Sequence, residues 1–393
     1  MQKRSVLFIN DSLWNSSGVF RALLPVLQSL DYEKYDIALY IVAGAKIDPD
    51  VRELLPAELR VIEGKDDTHY YRNVFVFLLH LLSVCCGVLH LKRPKEFFHS
   101  KSRKLIHNRR IRRQAKTNFG KETFNVVVAN TVPTCSEIAR YMKAEKKYVV
   151  FHSSKPAFFP ALTKQAFNLF TGVIAVSEGV KQMLEQTYPD QKDKIITVTN
   201  YVNAQEIQAK ASAFPPPDNG RTQLCTCGRL EKEKGFDLAL EAAKLLRDKG
   251  FNFTWYFVGD GGEKQKLTAK RDEYGLTEQI IFAGFQQNPY PYIAGCDIYV
   301  QPSREESYGL TIAEALILGK AIISTETVGG KMLLENGKNG VLTPFIADSL
   351  AAGIETLLRD PAKRAALQHP YTAEDDLKAK QAFVSAWNSI LEQ

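Results

Sequence analysis

The chain has 393 residues and a formal net charge of +7, from 51 Lys or Arg and 44 Asp or Glu. This length exceeds one ordinary hydrophobic core and predicts two domains of about 190 residues each. The composition is typical of a soluble α/β protein, and the scattered cysteines form neither a disulfide framework nor a zinc motif, which predicts reduced thiols in the cytosol. The apolar run after the basic N-terminus ends at Asn10 and Asp11 and is too short for a signal peptide.

The first predicted elements are a buried strand at Ser5–Asn10 and an amphipathic helix at Val19–Leu30. The loop between them carries Ser17 and Gly18 directly before the helix. In doubly wound parallel sheets such a loop faces phosphate groups, so Gly18 is a candidate contact for a phosphate group. A plain tight turn explains the same residues, and both interpretations stand at this point.

Asp48, Pro49 and Asp50 imitate an Asp-x-Asp metal motif. We interpret this spacing as accidental, because the residues belong to a polar turn that proline interrupts. The sequence therefore predicts no metal site and no cofactor.

The positive charge is concentrated in one segment, 92–116, which holds eleven Lys or Arg and the single acid Glu96. It follows an apolar run of eighteen residues, 74–91, which is at the short end for a membrane span. Because predicted strands continue on both sides, we interpret this run as a buried helix or pair of helices. Together the two stretches predict docking of 92–116 on an anionic membrane surface, with a solvated cationic helix as the alternative. No recognition motif accompanies the charge, so binding of nucleic acid is not predicted.

A predicted strand at Lys147–Phe151 is followed at once by His152. Ligands of open α/β sheets collect at the carboxyl ends of the strands, which makes His152 a candidate catalytic residue. A loop histidine bonded to a neighbouring carbonyl is the alternative.

A cluster of breaking residues at 214–220 marks the region of the domain boundary. We predict an N-terminal domain at 1–205, a C-terminal domain at 206–370 and a final helical segment at 371–393. Strands alternate with helices throughout, so the predicted fold class is α/β, with a doubly wound parallel sheet in each domain.

In the second half, Arg229 and Lys234 flank a loop that follows a predicted strand. Both cations can converge there on a diphosphate, Arg as a planar fork and Lys as a point charge. Exposed loop cations are common, so the pair alone does not establish a site. Gly259 ends the next strand in a glycine-rich turn that fits under a nucleoside, although the turn is not a complete Gly-x-Gly-x-x-Gly.

Residues 297–319 combine a short strand, a loop and a helix that is predicted from Tyr308 to a stop at Gly319. Glu306 and Glu314 frame the start of this helix, about 12 Å apart along its axis, which is comparable to the length of a sugar diphosphate. The free N–H groups of the first turn lie between them and attract an anion. These groups belong to Tyr308, Gly309, Leu310 and Thr311.

One of the two carboxylates can accept hydrogen bonds from ribose hydroxyls, and the other can accept them from the hydroxyls of a transferred sugar. The stretch therefore predicts a site for an activated sugar. The alternative is an ordinary strand–loop–helix unit with two solvated glutamates.

This stretch resembles the signature of glycosyltransferase family 4, enzymes of GT-B fold whose two glutamates are separated by seven residues. The family pattern Glu-Gly-Phe-Gly-Leu followed by Glu-Ala stands here at 306–310 and 314–315, with Ser307 in place of the first glycine. The stretch 228–235 is similar to the family's Gly-Arg-Leu and Lys-Gly motif, in which the two cations neutralise the departing phosphates. The resemblance covers most of the chain and implies two Rossmann-like domains facing a central cleft, with the last helix crossing back to the first domain.

The resemblance also implies roles for individual residues: His152 beside the transferred sugar and Phe285 at the nucleobase. The implied catalytic residues are His152, Arg229, Lys234 and Glu306. The implied donor-binding residues are Gly18, Arg229, Lys234, Gly259, Phe285, Glu306, Ser307, Tyr308, Gly309, Leu310, Thr311 and Glu314.

The implied activity is retaining, metal-independent transfer of a hexose or N-acetylhexosamine from a nucleotide sugar to a glycan, lipid-linked or surface-polymer acceptor. UDP is the expected carrier, since it is the commonest one, and the first domain is expected to bind the acceptor. We expect a cytoplasmic protein, peripheral on the inner face of the cell membrane if 92–116 docks there. Two alternatives remain open: a nucleotide-sugar epimerase of the same fold and a non-catalytic partner subunit of a glycosyltransferase.

Overall fold

The structure is a computed structural model that describes residues 3–11, 13, 17–42, 47–64, 111–120, 122–154, 167–214 and 220–392. The chain divides into two compact units. The first unit comprises 1–20, 30–151 and 159–173, and the second comprises 21–29, 152–158 and 174–393. The predicted domain limits at 205 and 370, and the predicted crossing of the last helix, stay predictions.

The first half of the chain forms a seven-stranded sheet in the order β3-β2-β1-β4-β5-β6-β7. Its strands are β1 (Arg4–Asn10), β2 (Tyr35–Ile41), β3 (Arg60–Glu63), β4 (Thr123–Ala129), β5 (Lys143–Phe151), β6 (Gly172–Ala175) and β7 (Ile195–Thr197). The apolar strand β1 is central and pairs in parallel with β2 and β4. Its residues from Val6 to Ile9 are fully buried, as expected for a strand covered on both faces.

The helices associated with this sheet are α1 (Gly18–Ser29), α2 (Pro49–Arg52), α3 (helical over residues 111–119), α4 (Thr134–Arg140) and α5 (Glu178–Thr187). Ser17 begins α1 as an N-cap, because its side chain accepts a hydrogen bond from the Phe20 N–H at 3.4 Å. Asp48 caps α2 by accepting from the Asp50 N–H at 3.3 Å, so the Asp-Pro-Asp turn has a local structural role.

The second unit is built on a six-stranded sheet in the order β10-β9-β8-β11-β12-β13. Its strands are β8 (Thr222–Cys227), β9 (Phe253–Val258), β10 (Ile280–Gly284), β11 (Ile298–Gln301), β12 (Ala321–Thr325) and β13 (Val341–Thr343). Every pair of neighbours is parallel, as the alternation of strands and helices predicts. The carboxyl ends of the six strands therefore share one edge.

The remaining helices are α6 (Ala204–Ala211), α7 (Phe236–Asp248), α8 (Lys264–Glu273), α9 (Tyr290–Gly295), α10 (Leu310–Ile317), α11 (Val328–Leu333), α12 (Ala347–Arg359), α13 (Pro361–Ala366) and α14 (Ala373–Glu392). One apolar cluster packs α7 and α12 against a face of the six-stranded sheet, around the fully buried Trp255. A second cluster packs α9 and α10 around Tyr299 and Ile312. Both faces of the sheet are thus covered.

The apolar run 74–91, and the basic segment as far as residue 110, lie outside the described residues. Residues 111–116 are helical, with Ile111 and Ala115 buried and Arg112 exposed. In the described ranges, no helix combines the length and the apolar character that a membrane crossing needs. Docking of 92–116 on a membrane stays a prediction.

Candidate active site

Helix α10 begins two residues later than the sequence pattern predicts. Gly309 is its N-cap and has φ of 87°, a left-handed conformation that glycine adopts without strain, so Tyr308 lies before the helix. The N–H groups of Leu310 and Thr311 are in the first turn, where an α-helix offers them no partner of its own. The Ile312 N–H instead closes on the Gly309 carbonyl at 2.9 Å.

Glu306 lies in the loop before this helix, four residues before Leu310, and its side chain is held at one oxygen. Lys234 Nζ donates to Glu306 Oε1 at 2.7 Å, and Gln301 Nε2 and Ser303 Oγ each donate to the same atom at 2.9 Å. Among the described residues, the side-chain hydrogen bonds of Glu306 all fall on Oε1, which leaves Oε2 as a free acceptor. Glu306 is 9% exposed, so this acceptor lies at a recessed surface.

Gln301, the last residue of β11, connects Glu306 to the start of α10. Its side-chain oxygen Oε1 accepts from the Tyr299 hydroxyl and from the Thr311 hydroxyl, both at 2.9 Å. Its amide nitrogen donates to Glu306 and also to Ser303 Oγ at 2.7 Å. The amide orientation follows from chemistry, because a carboxylate only accepts hydrogen bonds. Sequence reasoning missed this buried amide, since a polar residue that ends a strand gives no signal of its partners.

Lys234 lies in a short turn, Lys232–Lys234, which follows β8 and precedes α7. The aliphatic part of its side chain runs past Gly228, where an added Cβ would meet Lys234 Cδ at 3.7 Å. The structure therefore brings Lys234, Glu306 and the start of α10 together, as the sequence predicts. Arg229 lies in the same loop, but its side chain is 59% exposed and pairs with Glu233 at 3.2 Å.

Gly259 brings the loops after β8 and β9 into direct contact. Its φ is 144°, and a Cβ built on it would lie 1.9 Å from the Gly228 carbonyl oxygen. Its N–H donates to the Gly284 carbonyl at the end of β10, at 2.8 Å. Phe285 follows directly and is 55% exposed, an unusually open position for a large aromatic side chain. Gly259 and Phe285 thus lie at the carboxyl edge of the sheet.

Glu314, in the middle of α10, is buried, with 1% exposure. Its Oε1 pairs with Arg21, a residue that groups with the second unit, and Arg21 also donates to the Tyr290 hydroxyl at 2.7 Å. Burial raises the pKa of Glu314 above its usual value, and the Arg21 charge opposes this shift without cancelling it. Within the described part of the chain, Glu314 Oε2 is buried and has no hydrogen-bond partner.

Two hydrogen bonds to backbone carbonyls fix the loop between Glu306 and Gly309. The Ser307 carbonyl accepts from Ser177 Oγ at 2.7 Å, and the Glu306 carbonyl accepts from the Gly329 N–H at 2.8 Å. A Cβ on Gly329 would lie 2.3 Å from the Tyr308 carbonyl oxygen, so the close approach of α11 requires glycine there. Sequence reasoning gave Gly329 no role.

His152 follows β5 directly, is partly buried and groups with the second unit. Gly18 is the first residue of α1 and groups with the first unit. The roles of both residues in a site stay predictions.

Residues 208–370 match the model of the family described as Glycosyl transferases group 1. The matched residues include the two cations Arg229 and Lys234 and the two carboxylates Glu306 and Glu314. They also include every other predicted donor-binding residue except Gly18.

The chain is similar to curated glycosyltransferases over part of its length. The lipopolysaccharide core biosynthesis glycosyltransferase LpsE of Rhizobium meliloti is 27% identical over 179 residues, which is 45% of this chain and 51% of LpsE. A Campylobacter jejuni enzyme named as an N-acetylgalactosamine-N,N'-diacetylbacillosaminyl-diphospho-undecaprenol 4-alpha-N-acetylgalactosaminyltransferase is 26% identical, over 64% of this chain and 65% of that enzyme. The chain thus spans about half to two thirds of the length of these relatives.

Among solved structures, Anabaena HepE in complex with UDP and glucose superposes with a TM-score of 0.68. The alignment covers 98% of each chain at 19% identity. This likeness extends beyond residues 208–370 and confirms the predicted GT-B fold of two α/β units with parallel sheets.

Proposed function

We propose that this chain is a glycosyltransferase of the family 4 type. It transfers a hexose or N-acetylhexosamine from a UDP-sugar to a glycan, lipid-linked or surface-polymer acceptor, with retention of anomeric configuration and without a metal ion. The observation that carries the proposal is the contact of Lys234 with Glu306 at the start of α10, where a cation, a carboxylate and free helix N–H groups meet.

The diphosphate of the donor is stabilised by the Lys234 ammonium and by the N–H groups of Leu310 and Thr311. An ammonium has three donors, and Glu306 uses one of them, so Lys234 can bind phosphate without releasing the carboxylate. The helix N-terminus adds a positive partial charge at the same point. Arg229 exchanges its exposed partner Glu233 for phosphate at little cost, because exposed ion pairs contribute little free energy.

The two carboxylates bind the two rings of the donor. Glu306 Oε2 accepts from hydroxyls of the transferred sugar, while Oε1 stays fixed by its three donors. Glu314 Oε2 accepts from ribose hydroxyls. A buried acceptor without a donor costs about 1–3 kcal/mol, so a hydroxyl that satisfies it favours binding.

Transfer proceeds by front-face attack. The acceptor oxygen bonds to the anomeric carbon on the face from which the diphosphate leaves, and the proton of the acceptor hydroxyl passes to the leaving phosphate oxygen. The products are the new glycoside and UDP. Lys234, Arg229 and the helix tip stabilise the charge that develops on the leaving oxygen, and His152 orients the sugar.

The relatives support the acceptor class. One is named for lipopolysaccharide core biosynthesis, another for a diphospho-undecaprenol acceptor, and HepE was solved with UDP. A lipid-linked acceptor agrees with docking of 92–116 on the inner face of the cell membrane. Co-sedimentation with anionic liposomes tests the docking, and unchanged binding after neutralisation of the basic residues in 109–113 contradicts it.

The function is tested by a thermal-shift panel of UDP, GDP and ADP sugars, followed by transfer and donor-hydrolysis assays with the sugar that binds. Glu306→Ala and Lys234→Ala should each lose nearly all activity. Lys232→Ala is the matched control, because Lys232 is an exposed lysine in the same turn, and it should keep the activity of the parent. Full activity in Glu306→Ala and Lys234→Ala contradicts the proposal, and product analysis without acceptor distinguishes an epimerase.

A further inference from the structure

Arg304 connects the loop that carries Glu306 to the turn that carries Lys234. Its two terminal nitrogens donate to the two carboxylate oxygens of Asp237, at 2.7 and 2.6 Å. One of these nitrogens also donates to the Lys232 carbonyl at 2.7 Å, and the Arg304 backbone N–H donates to the Glu233 carbonyl at 2.8 Å. The guanidinium carbon lies 4.5 Å from the centroid of the Phe345 ring.

These contacts involve residues on both sides of Lys234 in the sequence. The two carbonyls belong to the residues immediately before it, and Asp237 is in the first turn of α7, three residues after it. Between them lies Gly235, which is left-handed and has no room for a side chain, since an added Cβ would lie 1.9 Å from the Pro302 carbonyl oxygen. One arginine therefore fixes the backbone on both sides of Lys234 against the loop 302–306.

The Arg304–Asp237 ion pair is stronger than expected for a pair that is partly exposed to solvent. Asp237 is partly buried, which alone would raise its pKa, but the hydrogen bonds and charge of Arg304 lower the pKa below its usual value. A bidentate arginine–carboxylate pair also fixes direction, which a lysine cannot do.

We propose that Arg304 is a positioning residue for sugar transfer: with Asp237, it sets the separation of the Lys234 ammonium from the Glu306 carboxylate. This inference rests on the proposed function. The cation must meet the leaving phosphate while the carboxylate meets the sugar, and a displacement of about 1 Å in such an arrangement lowers the rate by roughly 100-fold. Arg304 itself touches no reacting group.

The test is a double-mutant cycle on kcat for sugar transfer. Arg304→Ala should lower kcat by about 10–100-fold, and Lys234→Ala by about 100–1000-fold. If Arg304 acts through Lys234, the double variant Arg304→Ala/Lys234→Ala should match Lys234→Ala within about 3-fold. If the fold losses in kcat of the two single variants multiply in the double variant, the proposal is overturned. A purely structural residue and a catalytic lysine would act independently in that way.

Arg359→Ala is the matched control. Arg359 also pairs with a carboxylate, Glu355 at 2.8 Å, and also lies over an aromatic ring, Phe251 at 4.6 Å, but on the last turn of α12. It should keep the kcat of the parent, and the melting temperatures of both variants show how far each substitution destabilises the fold. Equal loss of kcat in Arg359→Ala would overturn the positioning role, because it would trace the effect to general destabilisation.

Arg304→Lys carries the same cycle if Arg304→Ala does not fold. A lysine at position 304 can reach Asp237 but cannot bind Asp237 and the Lys232 carbonyl at the same time. The kcat of Arg304→Lys should therefore lie between those of the parent and Arg304→Ala. The two proposals fail differently: no transfer by the parent protein refutes the proposed function. A transferring parent whose Arg304→Ala and Arg304→Lys variants both keep its kcat within about 2-fold refutes only the positioning role.

Discussion

Replacement of Gln301 by leucine tests whether the buried network holds Glu306 in place. Gln301 is 1% exposed, and its amide makes four hydrogen bonds, two as donor and two as acceptor. Gln301→Leu removes all four with little change in volume. Ser303 and Lys234 still donate to Glu306, so the carboxylate keeps two of its three donors.

The magnitude follows from what the substitution leaves behind. Burial raises the pKa of Tyr299, so its hydroxyl keeps its proton, and without Gln301 this buried donor loses its acceptor, at a cost of about 1–3 kcal/mol. Loss of the bond to the Glu306 carboxylate costs about 1.5–3 kcal/mol more. The leucine side chain recovers about 1 kcal/mol through its apolar surface. We expect the free energy of unfolding to fall by about 1.5–5 kcal/mol, and kcat to fall by roughly 10–100-fold because Glu306 moves.

Urea unfolding and steady-state transfer assays measure the two effects, and a second variant separates them. Tyr299→Phe combined with Gln301→Leu removes both members of the broken hydrogen bond, so it should recover about 1–2 kcal/mol of stability relative to Gln301→Leu. It should not recover kcat, because Glu306 still lacks the amide. If Gln301→Leu unfolds within about 0.5 kcal/mol of the parent, the reasoning about a fully satisfied amide is wrong.

Three further outcomes are expected. Gly259→Ala should abolish donor-induced thermal stabilisation and lower the melting temperature, because its Cβ would overlap the Gly228 carbonyl; a melting curve with unchanged UDP-sugar response would contradict this. The folded-state pKa of Glu314 is raised, so the stability from this group is present below about pH 4.5 and is lost as the pH rises through the raised value. Relative to Glu314→Gln, the parent should therefore lose stability over that window, and parallel pH profiles would refute the burial effect. Tyr201→Phe should cost about 1–3 kcal/mol in urea unfolding, because buried Asp376 loses the donor at 3.0 Å; a loss below about 0.5 kcal/mol would argue against that bond.

The sequence predicted the meeting of Lys234 and Glu306 for a physical reason. Both residues follow buried apolar strands, and parallel strands that are neighbours in a sheet bring their carboxyl ends to one edge. The strands concerned, β8 and β11, are indeed neighbours, although 72 residues separate the two side chains in the chain. Strand polarity accounts for the meeting, but the assignment of both residues to one site also depended on the resemblance of 228–235 and 306–315 to the family motifs.

The start of α10 was predicted two residues early, because apolar spacing does not report backbone handedness. Tyr308 continues the helical pattern of buried residues, but Gly309 has a positive φ and ends the non-helical loop. A glycine at this point is compatible both with a first helical turn and with an N-cap in the left-handed region, and only the packing of Gly329 against the Tyr308 carbonyl decides between them. The sequence contains no local signal for that contact.

The pairing of Glu314 was also beyond sequence reasoning. Its partner Arg21 lies 293 residues away, on a helix whose apolar pattern indicates a buried face and nothing about the reach of one guanidinium. The predicted solvent-facing alternative for Glu314 is wrong, since the residue is 1% exposed. Glu314 occupies a helical position among apolar residues that face the core. Its burial can be recognised only after those apolar residues have been assigned to the core.

Glu306 lies just before α10 and Glu314 lies within it, and their surroundings suit them to different partners. Glu306 has a cation and two neutral donors on a single oxygen, so its free oxygen is directed and can distinguish one sugar hydroxyl from its epimer. Glu314 is deeper, its pKa is raised by burial, and Arg21 is its one cation among the described residues. Its second oxygen therefore gains most from a neutral hydroxyl and would be disfavoured beside a phosphate. Under the proposed function, this difference predicts the order along α10: we expect the anion near Lys234 and the N-terminus of the helix, and a neutral ring at Glu314. A donor bound in the reverse direction would bring its diphosphate to a buried carboxylate, which is why the electrostatics of the site favour a single orientation.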